Sequence, residues 1–355
     1  MFRMDRAEAE ALLARAHVVH LASTTAEGEP VLRTVHGVLV RGGIAFHGAP
    51  AGEKMEAVGR PAVLMAEEVV AAVPSYFVDP ERACPATTLY RSAQAHGVIE
   101  RVDDADHKAE VLAALMKKLQ PEGGYTPIDA RHPLYEKAVA GILVLRVSIA
   151  ELDGKAKLAQ QRTPAERARL LEKLWERGLP GDPAAIELIR AASPDTPAPP
   201  FLAAPAGVTL ACALGPRDAE AAADMVRDMY WNREMPRDVL ARAHLGSSAW
   251  VGARDASGSL VATARAAGDG HKRVWIYDVA VAPALRGKGV GAAVMRLLLD
   301  HPAVRRALRV YLATRDAQPF YARLGFGDRF ELETRHKPYA STEMVLMRSA
   351  PSRPL

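Results

Sequence analysis

The sequence predicts two domains of different kind, an N-terminal, mostly antiparallel β-barrel with helices (α+β) and a C-terminal mixed α/β domain. Three observations predict this. The 355 residues are about twice the ~100–200 of a typical domain, so each half can bury a core of its own. Between positions 193 and 207 the chain reads SPDTPAPPFLAAPAG, whose five prolines favour an extended, semi-rigid connector over helix or strand. The hydrophobic pattern also changes across that segment, from successive strand-like runs to strands alternating with helices. The expected division is 1–192, a connector at 193–207, and 208–355.

In the first half, residues 6–16 read as an amphipathic helix. Strands are expected at 17–24, 30–40, 44–48, 62–68, 89–102 and 141–149, joined by turn chemistry such as Glu27-Gly28 and Gly42-Gly43. Helices are expected at 103–119, between the last two strands, and at 164–177 and 183–192 after the barrel, their charged faces outward. Past the connector the order is strand 208–214, helices 218–231 and 236–244, strands 249–254, 260–267 and 273–281, helix 286–299, strand 309–314, helix 317–324 and a closing strand 342–348.

Composition narrows the function. Hydrophobic residues make up 49% and charged residues 25%, which is ordinary globular usage. Lys and Arg exceed Asp and Glu by 46 to 42 over the whole chain, so no basic face for nucleic acid is indicated. The two cysteines, Cys84 and Cys212, are far apart, and no Cys/His cluster has metal-ligand spacing, so neither a disulfide framework nor a metal site is expected. The longest apolar stretch, 141–147, is interrupted by Arg146 and too short for a bilayer, and the N-terminus has no signal-peptide core. The expectation is a soluble, cytoplasmic protein with no membrane partner.

Residues 273–291, RVWIYDVAVAPALRGKGVG, join a strand to a glycine-rich turn that opens a helix. Unpaired amides and the positive dipole end make such a turn an anion site, and Gly287, Gly289 and Gly291 would let a pyrophosphate approach the backbone. Arg286 and Lys288 add positive charge. With Phe320-Tyr321-Ala322-Arg323-Leu324-Gly325-Phe326 after the next strand, this stretch resembles the GNAT superfamily of acetyl-coenzyme A dependent N-acetyltransferases over residues 208–349. The resemblance implies that Val279 and Val281 grip the pantetheine arm through their backbone. It also implies that the amides of Arg286, Gly287, Lys288, Gly289, Val290 and Gly291 hold the pyrophosphate, and that Tyr321 stands at the thioester sulfur as general acid. Many members have Asn seven residues before that tyrosine; here it is Thr314.

The expected acceptor is a small-molecule amine, with aminoglycoside, polyamine, amino-acid and protein acceptors all left open by the sequence. With a lysine-like pKa of ~10.4 it must lose a proton before attacking, which calls for a base or a water chain. Asp278 is the candidate base, since aspartate is disfavoured inside strands; a structural hydrogen bond near the strand splay accounts for it equally well. Tyr230 and Trp231 could wall a cationic acceptor or pack as core aromatics.

In the first half, residues 33–54 read RTVHGVLVRGGIAFHGAPAGEK, a hairpin that ends in His47-Gly48 and runs through Gly52 into a short helix bearing Lys54. The amides near Gly52, the Lys54 ammonium and Arg33 on the neighbouring strand could bind a phosphomonoester. This pattern, with Leu89-Tyr90-Arg91-Ser92 and Gly154-Lys155, resembles the pyridoxamine 5′-phosphate oxidase-like, flavin-binding split-barrel family over residues 1–155. The resemblance implies an FMN site at a homodimer interface, with Arg33, Thr34, His47 and Lys54 near the phosphate and ribityl chain, and Ser92 as a further candidate. Some members hold haem or a deazaflavin instead. Three functions follow: two enzymes in one chain, a flavin-sensing and dimerising module attached to an acetyltransferase, or a second half that only binds coenzyme A.

Overall fold

The structure, a computed structural model, describes residues 2–49 and 53–334. It divides into two compact units, residues 1–214 with 254–257, and residues 215–253 with 258–355.

The first unit opens with α1 (Arg6–Arg15), whose Asp5 and Glu8 form a reciprocal capping box. The strands β1 (Val19–Thr24), β2 (Pro30–Val35), β3 (Val38–Val40) and β4 (Gly43–Gly48) follow, then α2 (Glu53–Glu56), β5 (Pro61–Val73), β6 (Thr87–Val102), α3 (Ala105–Leu119), α4 (Glu136–Gly141) and β7 (Leu143–Lys157). All pairings are antiparallel, in the order β2-β1-β5-β6-β7-β4-β3.

The expected strand 30–40 is in fact two strands, and the break explains the curl. β2 and β3 are the two edges of the sheet, yet only His36 and Gly37 separate them, so the chain steps from one edge to the other and draws the sheet into a half-barrel. A Cβ at Gly37 would stand 2.7 Å from a Val19 methyl and 2.9 Å from an Ile44 methyl, so only glycine fits the crossing. Inside lie the fully buried Ile44, Phe46, Leu64, Ile99 and Leu145. β5 and β7 run well past their expected ends, and α4 was not expected at all. On α3, Val111 and Leu115 pack against Val38, Val40, Ala45, Val102 and Val144.

Two further helices complete this unit, α5 (Pro164–Arg177), started by a Thr163–Glu166 capping box and stopped at Gly178, and α6 (Asp182–Ala192). The proline-rich segment is not free chain. Phe201 stacks on Trp175 of α5 with ring centroids 4.4 Å apart, and Arg167 binds Thr196 and Asp195. The strand β8 (Val208–Ala211) is tied to α6, where Arg190 donates to the Leu210 carbonyl and Glu187 accepts from the Cys212 amide.

The second unit contains α7 (Ala219–Val226), α8 (Arg237–Leu245), β9 (Ala249–Asp255), β10 (Leu260–Gly268), β11 (Arg273–Val281), α9 (Val290–Asp300), β12 (Arg309–Tyr311), α10 (Gln318–Ala322) and α11 (Arg329–Thr334). Its sheet is mixed: β10 and β11 run antiparallel, β11 and β12 parallel. α7 stops five residues short of its expected end because the Asn232 side chain turns back and donates to the Val226 carbonyl, capping the helix. α9 likewise begins at Val290 rather than 286, after a 3₁₀ turn at Pro283–Leu285. The closing strand expected at 342–348 lies outside the described residues.

Candidate functional site

In the second unit the site is built on an irregularity in β11. The β10–β11 register slips between Thr263 and Arg265, and Asp278 occupies the left-handed region at φ 52°, so β11 bulges there. β11 pairs with β12 only from Arg273 to Trp275, opposite Arg309 to Tyr311. Beyond Trp275 the two strands part. The backbone of Val279 and Val281 then borders a groove of ≈ 630 Å³, whose walls include Leu285, Arg286, Gly287, Gly289, Gly291, Phe320, Tyr321 and Arg323.

Gly287 and Gly289 sit at φ 74° and 81°, the backbone form that glycine tolerates. Gly289 is the N-cap of α9 and has no side chain to cap it, so the first amides of the helix have no intrahelical partner and remain available to an anion. Val290 itself is buried, so any part it plays is through its backbone; Lys288 is exposed and does not line the groove, and its amide donates to the Leu285 carbonyl at 3.4 Å as the Arg286 amide does to the Pro283 carbonyl at 3.3 Å, so these two expected amides are taken up by the 3₁₀ turn. Arg323, which the sequence reading passed over, does line it. Its signal was present in the Phe-Tyr-Ala-Arg run. Glycines, orphan amides and two arginines make a donor set that fits the diphosphate of coenzyme A.

A second cavity of ≈ 320 Å³ adjoins the groove and is lined by Tyr230, Trp231, Trp275, Tyr277, Asp278 and Thr314 among others. Asp316, Ala317 and Tyr321 line both spaces. Tyr321 is held edge-on between Phe320 and Phe326, with centroids 5.0 Å and 5.9 Å away. Burial, reinforced by Tyr230 and Asp316, raises its phenol above the ordinary value, so it is neutral and can donate a proton. Thr314 does not point a carboxamide at the groove as an Asn would; its hydroxyl accepts from the Ala317 amide at 3.1 Å and shapes the start of α10.

Asp278 is differently placed from what a general base requires. Its Oδ2 accepts from Arg265 Nε at 2.6 Å, and its Oδ1 accepts from Trp231 Nε1 at 3.0 Å and Asn232 Nδ2 at 2.8 Å. Burial alone would raise its pKa, but the Arg265 charge and these hydrogen bonds outweigh it and hold the carboxyl below its usual range. A carboxylate so fully engaged is a poor proton acceptor for an ammonium. Of its two readings, the geometry favours the structural one, an anchor for the bulge.

In the first unit, β2 and α2 bring Arg33 and Lys54 to the same small cleft of ≈ 20 Å³, with Ser23, Thr24 and Thr25 from the end of β1. Gly48 makes room for the lysine: an added Cβ would lie 3.0 Å from Lys54 Nζ. His47, exposed at its ring surface, is still crowded by protein, and that desolvation, with His36 and Lys54 nearby, lowers its pKa. Thr34 pairs with His20 and alternates to the face opposite Arg33, which pairs with Leu21. Ser92 is buried on β6, on the face opposite Ile99, and takes no part in the cleft. The hydroxyl run Ser23-Thr24-Thr25 was missed, although three consecutive hydroxyls at a strand end were visible in the sequence. Two cations and several hydroxyls suit a phosphate.

Among the described residues no cluster of His, Cys, Asp and Glu could hold a metal, and no helix is long and apolar enough to cross a membrane.

Residues 5–156 match the family model described as pyridoxamine 5′-phosphate oxidase, and residues 219–326 match that of the acetyltransferase (GNAT) family. Among solved structures, the FAD and heme binding protein from Mycobacterium smegmatis is 22% identical, covering 43% of this chain and 71% of its own, with a TM-score of 0.36. The flavocytochrome Anf3 from Azotobacter vinelandii is 21% identical over 45% of this chain and 69% of its own, TM-score 0.37. A protein of Xanthomonas campestris pv. campestris, described as belonging to the GNAT family, is 28% identical over 38% of this chain and 93% of its own, TM-score 0.32. No curated protein matches the chain.

Proposed function

We propose, for a chain that carries a pyridoxamine 5′-phosphate oxidase-like domain followed by a GNAT acetyltransferase domain, that the second domain transfers acetyl from acetyl-coenzyme A to an amine. The observation that carries this reading is Tyr321, which lines both the glycine-walled groove and the aromatic cavity. The acceptor loses a proton to solvent, and its nitrogen lone pair attacks the thioester carbonyl. The C–S bond then breaks, the leaving thiolate takes the Tyr321 proton, and the second proton of the new amide nitrogen restores the phenol. Arg286, Arg323 and the amides of Gly287, Gly289, Val290 and Gly291 hold the diphosphate, while the backbone of Val279 and Val281, whose Val281 carbonyl accepts from Arg286 Nε at 3.2 Å before the cosubstrate arrives, aligns the pantetheine arm. The direct test is release of coenzyme A thiol from acetyl-coenzyme A on addition of amines; a chain that binds acetyl-coenzyme A by calorimetry but acetylates nothing would be a binding module.

The first domain binds a flavin, FMN in our reading, with Arg33 and Lys54 on its phosphate, His47 beside them and the Thr34 backbone along the ribityl chain. A bound flavin supplies one- or two-electron redox chemistry. The chain's own residues neutralise the phosphate and fix it. Lys54→Ala removes one charge-assisted contact and should weaken FMN binding by about 1.5–3 kcal/mol in a fluorescence-quenching titration. Unchanged affinity would remove Lys54 from the phosphate site.

Because a cleft of ≈ 20 Å³ is far smaller than a flavin, the cofactor needs a second wall, and in our reading a homodimer through this domain supplies it. Light scattering of the full chain should give twice the monomer mass. A monomer that binds FMN with full affinity would contradict the shared site. A flavin spectrum that bleaches with NAD(P)H would mark an oxidoreductase, and one that does not would mark a sensing or dimerising module.

A further inference from the structure

Resting on the acetyltransferase reading, we infer that Tyr230 is a positioning residue for Tyr321. Its hydroxyl ties the turn before α10 to the loop after α7, across the gap where β11 and β12 have parted, and so fixes the Tyr321 phenol at the junction of groove and cavity. The need for such a tie follows from the sheet. β12 pairs with β11 only as far as Tyr311, and among the described residues no strand continues that pairing, yet Tyr321 lies beyond it on α10. What the sheet does not hold has to be held by side chains.

The turn is stiff within itself. The Thr314 hydroxyl accepts from the Ala317 amide at 3.1 Å, Gln318 Nε2 donates to the Arg315 carbonyl at 3.0 Å, and the Tyr321 amide donates to the Ala317 carbonyl at 3.2 Å. Turn and helix therefore move as one piece. Tyr230 ties that piece across the gap: its hydroxyl oxygen accepts from the Arg315 amide at 2.9 Å, while the Arg315 guanidinium covers its ring at 3.9 Å. Tyr230 is itself braced from the other side. Trp231 meets it edge-on at 4.8 Å, and Trp231 and Asn232 both donate to Asp278 at the bulge of β11. Contacts thus run from β11 through Trp231, Tyr230 and Arg315 to the helix that carries Tyr321, and Tyr230, like Tyr321, lines both the groove and the cavity. The nearness of the two phenols also shows in the raised pKa of Tyr321, to which Tyr230 adds after burial. A packed aromatic would not do the same work. Phenylalanine at this position would stack under the guanidinium but leave the Arg315 amide without its acceptor.

The test is Tyr230→Phe, which keeps the ring and deletes the acceptor. With the full chain, thiol release from acetyl-coenzyme A is followed with phenethylamine, spermidine, phenylalanine, kanamycin and a lysine-rich peptide, and kcat is measured with whichever of these the wild type turns over fastest. In the variant kcat should fall by about 10- to 100-fold, the scale of a misplaced catalytic group, while the KM and calorimetric Kd of acetyl-coenzyme A stay within about twofold. The decisive readout is the pair of variants. If Tyr230 acts through Tyr321, it has nothing left to position once that phenol is gone, so Tyr230→Phe should change kcat by less than about twofold in a Tyr321→Phe background. Equal losses in both backgrounds mean that Tyr230 serves the fold or the acceptor on its own account; they overturn this assignment and leave the acetyltransferase reading standing. So does a wild-type kcat in Tyr230→Phe, or a higher KM with kcat unchanged. Wild-type protein that binds acetyl-coenzyme A and releases thiol with none of these acceptors overturns this assignment together with that reading.

Discussion

Tyr321→Phe is expected to lower the acetylation rate by about 10²- to 10⁴-fold, the usual loss when a positioned general acid is removed, while leaving acetyl-coenzyme A affinity nearly intact. The two halves of this expectation have separate causes. The ring is what packs: Phe320 and Phe326 meet it edge-on, and phenylalanine keeps those contacts. The hydroxyl is what reacts, and its raised pKa keeps it protonated until a thiolate demands the proton. Calorimetric titration with acetyl-coenzyme A and single-turnover acetylation separate binding from chemistry. Wild-type turnover in the variant, with chemistry shown to be rate-limiting, would take Tyr321 out of the mechanism.

The second large effect is on stability. Asp278→Ala removes the acceptor for three donors and leaves Arg265, whose side chain is 15% exposed, without the partner that stood 2.6 Å away. Breaking a buried pair by deleting one member typically costs about 3–5 kcal/mol, because the surviving charge stays desolvated. Denaturant unfolding followed through Trp231, Trp250 and Trp275 should show this loss in the second unit, and Asp278→Asn should lose less because its amide oxygen still accepts hydrogen bonds. The pH dependence follows from the direction of the shift. The folded pKa is depressed below the unfolded value, so the contribution is fully present above the unfolded carboxyl pKa of ~3.9 and disappears as pH falls through the folded value. The wild type should therefore lose stability into acid more steeply than Asp278→Asn. Equal melting of wild type and Asp278→Ala at neutral pH would show that the bulge needs no anchor.

Much of this was legible from local pattern. The strand, glycine turn and helix of residues 273–300 read directly, because each depends on neighbours in sequence: apolar alternation, glycines at positive φ, an apolar helix face. Lys54 and Arg33 were legible for the same reason, as charges near a hairpin end. What could not be read was whatever depends on a cross-strand or cross-loop partner. Nothing near Asp278 announces that Arg265, thirteen residues earlier, and Asn232, on a loop, will occupy its oxygens. The same Asn232 ends α7 early, an effect no helix propensity contains. Ser92 looked like a ligand because its neighbours in sequence matched a motif, but strand alternation turned it to the other face of β6.

The early parting of β11 and β12 has a cost for the empty protein. Among the described residues no strand pairs with β11 on its β12 side beyond Trp275, where Arg286 Nε reaches the Val281 carbonyl, and an unpaired strand edge is a template on which another chain can lay its own backbone. A pantetheine amide lying there would occupy that edge, so the cosubstrate would act as a guard against self-association as well as a donor. Protein kept free of coenzyme A should then cloud on warming sooner than protein saturated with it, by more than the shift that simple ligand binding gives to its melting temperature.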